Sequence, residues 1–267
     1  MLFQYEASTS GGLNLASTEP NSSQPKLTRA APDGARHVRT ANPRDLMDRE
    51  ETWRVITEQR LGLARLLEGL SEDEWEQPSL CAGWRVRDVA AHVSLVTLPP
   101  SPGTLLADLI RARGSFHQLN TMASLRRAER APEELIADLR QHAGSRKVPI
   151  VSDQRNVLFD VVVHVQDIAM PLGIDLPMPV AAAAAGATRV WSMGWPFWAR
   201  RRLRGLRLRA TDTDWSAGAG AELRGPIRML LLLLTGRTMT ALPHLSGPGV
   251  QTIIERSGIP RAEADQS

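Results

Sequence analysis

Asp160, His164 and Asp167 fall at i, i+4 and i+7, so on a helix they share one face. They interrupt the very apolar segment 157–168 (Val-Leu-Phe-Asp-Val-Val-Val-His-Val-Gln-Asp-Ile). Polar side chains on a helix this apolar are costly to bury unless they are paired or hold a metal. Asp88 and His92 repeat the i, i+4 spacing in a second apolar stretch. Two helices that each present a histidine and a carboxylate can build a metal site inside a helical bundle. Two histidines and one carboxylate with an open position suit Zn²⁺, or another divalent ion. The spacing alone also fits a metal-free polar network, and Asp88 near a helix start also fits a favourable contact with the helix dipole.

Other residues carry less chemistry. Cys81 is the one cysteine, which excludes an intramolecular disulfide and is expected to be a small apolar loop residue. Trp191, Trp195 and Trp198 share the i, i+4, i+7 spacing and are expected to form one packing stripe on a helix. A solvent-facing part of that stripe would serve a homodimer. Arg200, Arg201, Arg202, Arg204, Arg207 and Arg209 cluster in sequence. They fit the end of a helix followed by the outer face of a strand better than a nucleic-acid footprint, which needs basic residues gathered on one face.

The elements that position these residues follow from hydrophobic period and punctuation. Residues 1–46 are rich in Ser, Thr, Pro, Gly and Asn without sustained periodicity, and are expected to be disordered. Met47, where periodicity begins, is a candidate start residue. Helical spacing runs over 47–70, then over 86–97 until Pro99-Pro100, then over about 103–127, 132–143 and 153–170. Together 47–175 is expected to fold as an all-helical domain, a four-helix bundle with one further short helix. After Pro177 and Pro179, an Ala-rich helix is expected over 180–202. Alternation in 206–210 and the glycines 218 and 220 predict three short strands, and 226–234 a buried helix. The expected fold class is therefore a four-helix bundle followed by a small α+β domain over 180–255, with 256–267 as a tail.

The 267 residues are 42% hydrophobic, enough for a sizeable core. Net charge is only +3, and all but two of the 32 basic residues are arginine. No apolar run reaches the length of a membrane span, and the N-terminus lacks the pattern of a signal peptide. A soluble cytoplasmic protein with no membrane or nucleic-acid partner is expected.

Residues 81–92 (Cys-Ala-Gly-Trp-Arg-Val-Arg-Asp-Val-Ala-Ala-His) resemble the signature of the mycothiol-dependent maleylpyruvate isomerase family. Residues 160–173 resemble that family's second metal motif, and 208–215 with 223–237 resemble its C-terminal domain. The resemblance spans about 47–250 in the family's order. It implies that 47–175 is a DinB-like metal-binding bundle with a divalent metal, usually zinc, held by His92, Asp160 and His164. Asp160 stands where the characterised isomerase has glutamate, one methylene longer. Asp167 is implied as an alternative ligand or as a carboxylate that orients a ligating histidine.

The implied cofactors are that metal and mycothiol, a low-molecular-weight thiol. The implied chemistry is addition of a metal-activated thiolate to a small electrophile. An isomerase then expels the thiol after bond rotation, whereas an S-transferase retains it. Arg237 is the candidate catalytic residue, binding a substrate carboxylate in bidentate fashion. A non-catalytic protein with a structural metal is the competing reading, and it would require a fourth protein ligand such as Asp88 or Asp167.

Overall fold

The computed structural model describes residues 47–97, 116–148 and 153–257. The expected disorder of 1–46, the tail beyond 257 and the start of the helix expected from 103 lie outside the described residues.

Helix α1 (Arg49–Glu68) begins where the Asp48 side chain accepts from the Glu51 backbone N–H at 2.7 Å. It buries Trp53, Ile56, Leu63 and Leu67. Helix α2 (Glu72–Glu76) is held by a reciprocal capping box between Ser71 and Glu74. Helix α3 (Val86–Thr97), helix α4 (Phe116–Ala128) and helix α5 (Pro132–Gln141) follow, and α5 starts with proline in its first turn and Glu133 and Glu134 behind it.

Helix α6 (Gln154–Ala169) is the axis of the molecule. Its N-cap, Asp153, accepts from the Asn156 N–H at 3.0 Å. It packs against α1, α3 and helix α7 (Val180–Ser192), and every residue from Asn156 to Ala169 is buried. Surrounded on these sides, its polar residues must satisfy one another or hold an ion.

Helix α7 approaches closely because it is made of small residues. A Cβ added at Gly186 would meet both Phe159 of α6 and Leu231 at 3.1 Å. Leu231 belongs to helix α9 (Ile227–Leu234), so this one glycine sits where three helices meet. The expected division near residue 175 is thus crossed by a continuous apolar core.

The helix expected over 180–202 ends at Ser192. A bend through Gly194 and Pro196 leads to the short helix α8 (Ala199–Arg202). Trp198 takes a left-handed backbone conformation (φ 48°) before α8. Trp191, Trp195 and Trp198 therefore do not form one helical stripe, and Trp195 and Trp198 are 57% and 53% exposed. Gly194 and Pro196 between them outweigh the periodicity of the tryptophans.

Three strands complete the fold: β1 (Leu206–Ala210), β2 (Ser216–Gly218) and β3 (Ala221–Gly225). The sheet order is β2-β1-β3. β1 pairs antiparallel with β2 (Leu208 opposite Ala217) and parallel with β3 (Leu208 opposite Leu223). Arg207 and Arg209 occupy the outer face of β1, as its alternation predicts. The short helix α10 (Thr238–Ala241) and helix α11 (Gly249–Ser257) close the described chain. No helix among the described residues is long and apolar enough to cross a membrane.

Candidate metal centre

Helices α3 and α6 bring His92, Asp160 and His164 together. The three residues are only 1%, 2% and 4% exposed. One ligand atom from each lies within 4.8 Å of the others. His92 Nε2 is 3.7 Å from Asp160 Oδ2, and His164 Nε2 is 3.4 Å from Asp160 Oδ1. The two imidazoles meet edge to face at 4.8 Å, and Trp84 closes the outer side of His92 with ring centroids 5.7 Å apart.

Two atoms here are buried without any hydrogen-bond partner: His92 Nε2 and Asp160 Oδ1. Orphaned buried polar atoms are uncommon, because each forfeits its hydration. Both are atoms that ligate metals, and both belong to one cluster. The residues therefore fit a divalent cation.

The opposite edge of His164 is satisfied. Asp167 Oδ2 lies 2.8 Å from His164 Nδ1. Arg237 clamps the same carboxylate, with Nε donating to Oδ1 at 2.8 Å and Nη2 to Oδ2 at 2.5 Å. Cys81 Sγ donates to Asp167 Oδ2 at 3.1 Å and accepts from Arg237 Nη2 at 3.2 Å. Cys81, His164 and Asp167 also have the composition of a metal site. The Arg237 guanidinium already supplies a positive charge there, so a second ion would have to displace it.

Local chain geometry explains how these residues arrive. The turn after α9 has Gly236 at φ 96°, with the Arg237 N–H bonded to the Leu232 carbonyl at 2.8 Å. This turn aims Arg237 back at α6. Cys81 sits in the loop before α3, where the Leu80 N–H donates to the Asp167 carbonyl at 3.1 Å and ties the loop to α6.

Electrostatics sort the groups. Burial opposes ionisation of Asp160, but His164 and His92 outweigh it and hold the carboxyl below the usual carboxylate range. Burial pushes His92 down to about 4, so its ring is neutral near pH 7. Burial also works against protonation of His164, yet the charge of Asp160, reinforced by Asp167, carries it well above the ordinary imidazole value. Asp167 is kept below the normal range by Arg237 and then His164, against its burial. Burial and the charge of Asp167 push the Cys81 thiol up, so it remains a thiol. Without a metal, His164 is thus the cation of the cluster.

Asp88 takes no part. It accepts from the Arg85 backbone N–H at 2.9 Å and from the Arg85 side chain, at the start of α3. Asp167 touches the far nitrogen of His164 and not the cluster centre. Neither carboxylate supplies a fourth ligand beside His92, Asp160 and His164. Arg237, expected on a substrate carboxylate, is instead buried with its guanidinium on Asp167. Sequence reading placed Cys81 among apolar loop residues. Its contacts with Asp167 and Arg237 join chain segments 86 and 156 residues apart, which no local pattern reveals.

The described helices form a bundle with a buried histidine–carboxylate–histidine cluster between two of them. Residues 56–153 match the mycothiol maleylpyruvate isomerase N-terminal domain. His92 lies inside the matched segment, whereas Asp160 and His164 lie just beyond it.

Two solved structures share the fold. One is the crystal structure of a histidine-to-alanine mutant of the mycothiol-dependent maleylpyruvate isomerase. It aligns with a TM-score of 0.54 at 14% identity, over 76% of this chain and 93% of that chain. Another is the crystal structure of the mycothiol-dependent maleylpyruvate isomerase, with a TM-score of 0.51 at 16% identity, over 72% and 90% of the two chains. No curated protein matches the chain.

Proposed function

We propose that this protein is a divalent-metal-dependent, mycothiol-using isomerase or S-transferase acting on a small electrophile. The observation that carries the reading is the pair of orphaned, buried ligand atoms, His92 Nε2 and Asp160 Oδ1, beside His164 Nε2. The match of residues 56–153 to the mycothiol maleylpyruvate isomerase N-terminal domain supports the choice of thiol. A cation held by His92, Asp160 and His164 would lower the pKa of a bound thiol and hold it as thiolate at neutral pH.

The chain's own residues prepare that chemistry. His92, neutral at pH 7, needs no deprotonation to offer a lone pair. His164 must release one proton from Nε2, and Asp167 holds Nδ1 so that the ring keeps its orientation as it does so. Arg237 keeps Asp167 ionised and fixed. Three ligands leave a coordination position for the thiol, which favours a catalytic over a structural metal. Zinc is the favoured ion, because two imidazoles and a carboxylate suit it and it brings no redox chemistry. A cytoplasmic location accords with the free thiol of Cys81.

Cobalt substitution tests the proposal. Co²⁺-loaded protein titrated with mycothiol is expected to develop a sulfur-to-cobalt charge-transfer band that saturates at about one thiol per chain. Cobalt binding without any such band would leave a structural metal and refute the thiol-dependent reading.

A further inference from the structure

His92 can serve a cation only if its lone pair is on Nε2, the nitrogen facing Asp160. A neutral imidazole carries one proton, and the bond made by the other nitrogen decides where that proton sits. On His164 this task falls to a carboxylate. On His92 the neighbour is a hydroxyl, which can donate or accept, so its direction has to be settled by what else it touches.

Ser124 Oγ lies 3.2 Å from His92 Nδ1. The same hydroxyl donates to the Asn120 carbonyl, one turn earlier on α4, at 2.8 Å. A serine hydroxyl has one hydrogen, and this one is already used. The carbonyl, which can only accept, is the shorter of its two contacts, at 2.8 Å against 3.2 Å, so toward His92 the oxygen acts as acceptor. Ser124 is completely buried, so no water competes for either bond.

We infer that Ser124 is the positioning residue of the metal centre: its committed hydroxyl holds the proton of His92 on Nδ1 and so leaves the lone pair of Nε2 directed at the cation site. This rests on the proposed metal site for its purpose but not for its geometry. The orphaned state of His92 Nε2 agrees with it, since a proton on Nε2 would turn toward Asp160, and no such bond forms at 3.7 Å. Helix α4 thereby takes part in the centre through α3, although it contributes no ligand. The device differs from the carboxylate behind His164, because a neutral acceptor fixes the tautomer without adding charge beside a buried ring.

The test is ¹⁵N NMR of histidine-labelled, metal-free protein, which distinguishes protonated from unprotonated ring nitrogens directly. Wild type is expected to show His92 protonated at Nδ1 and bare at Nε2. Ser124→Ala, a change that favours the helix, is expected to move the proton to Nε2 and to weaken Zn²⁺ binding by about 10–100-fold. Ser124→Thr keeps the hydroxyl and is expected to retain the wild-type tautomer. A proton on Nε2 in wild type would overturn the inference, even if zinc binds. An unchanged tautomer in Ser124→Ala would overturn it too. The predicted tautomers with no affinity for zinc, cobalt or manganese would uphold the role of Ser124 and instead refute the metal-dependent function. If Ser124→Ala does not fold, the wild-type spectrum alone decides.

Discussion

The two edges of the His164 ring show two ways of handling buried negative charge. On the Nδ1 edge, Asp167 faces a guanidinium built into the chain, and every group has a partner: Arg237 on both carboxylate oxygens, Cys81 on one, His164 on the same one. On the Nε2 edge, Asp160 faces two imidazoles at distances longer than hydrogen bonds, and two atoms have no hydrogen-bond partner. Both carboxylates are buried on the same helix, seven residues apart. They differ in whether the fold itself supplies a permanent positive charge: Arg237 does so at Asp167, whereas Asp160 has only the titratable ring of His164. Where it does, the cluster is complete. Where it does not, the ligand atoms converge on a place for a divalent ion.

The largest effect should come from removing the built-in charge. Arg237→Leu leaves Asp167 ionised in the core with only His164 and Cys81 as partners, and breaking a buried ion pair from one side costs about 3–5 kcal/mol. Urea denaturation measures it. A loss below about 1 kcal/mol would show that Asp167 has another source of stabilisation and would erase the distinction between the two edges.

Asp167→Asn separates orientation from charge. The amide keeps the shape but no longer favours a proton on Nδ1 with the same strength. Zinc affinity by competition with a chelator is expected to fall by about 10–100-fold, with the ion still bound at one per chain. An unchanged affinity would mean that Asp167 serves packing alone.

The pH dependence has a definite sign. In the metal-free protein the pKa of His164 is raised, so the ring holds a proton at neutral pH. A cation must displace it. Affinity should therefore increase with pH, about tenfold per unit, until the pH passes the metal-free pKa of His164, with about one proton released per ion bound. His92 contributes no proton above about pH 4, because burial keeps it neutral there. Calorimetry in buffers of different ionisation enthalpy reads the proton count. A count near zero at neutral pH would contradict the assignment of His164 as the resident cation.

Cys81→Ser should be the mildest change. A hydroxyl can replace the thiol toward Asp167 and Arg237, so the expected destabilisation is about 1 kcal/mol or less, with zinc affinity nearly unchanged. A large loss of zinc would instead make the thiol edge the metal site.

The contrast between the edges also marks how far the sequence could be read. His92, Asp160 and His164 are legible because helical spacing puts Asp160 and His164 on one face and because the surrounding residues are too apolar for unpaired charges. The helices that carry them are legible for the same reason, because their apolar residues keep helical spacing. The other edge depends on contacts between distant segments. Arg237 is brought to Asp167 by a turn across 70 residues, and Cys81 by a loop fixed to the end of α6. Ser124 is equally silent in the sequence, since a serine within a helix usually signals nothing beyond a local bond to the backbone. Periodicity misled at 191–198, where the tryptophans keep helical spacing through a segment that Gly194 and Pro196 bend out of the helix.

Metal content tests the central claim most directly. Protein purified without an affinity tag or chelator, then reconstituted with Zn²⁺ and dialysed, can be assayed by elemental mass spectrometry beside His92→Ala and His164→Ala. The expected result is about one divalent ion per wild-type chain, lost in both variants while circular dichroism shows them folded. Wild-type protein that retains no ion would make His92, Asp160 and His164 a buried polar network and remove the basis for thiol activation here.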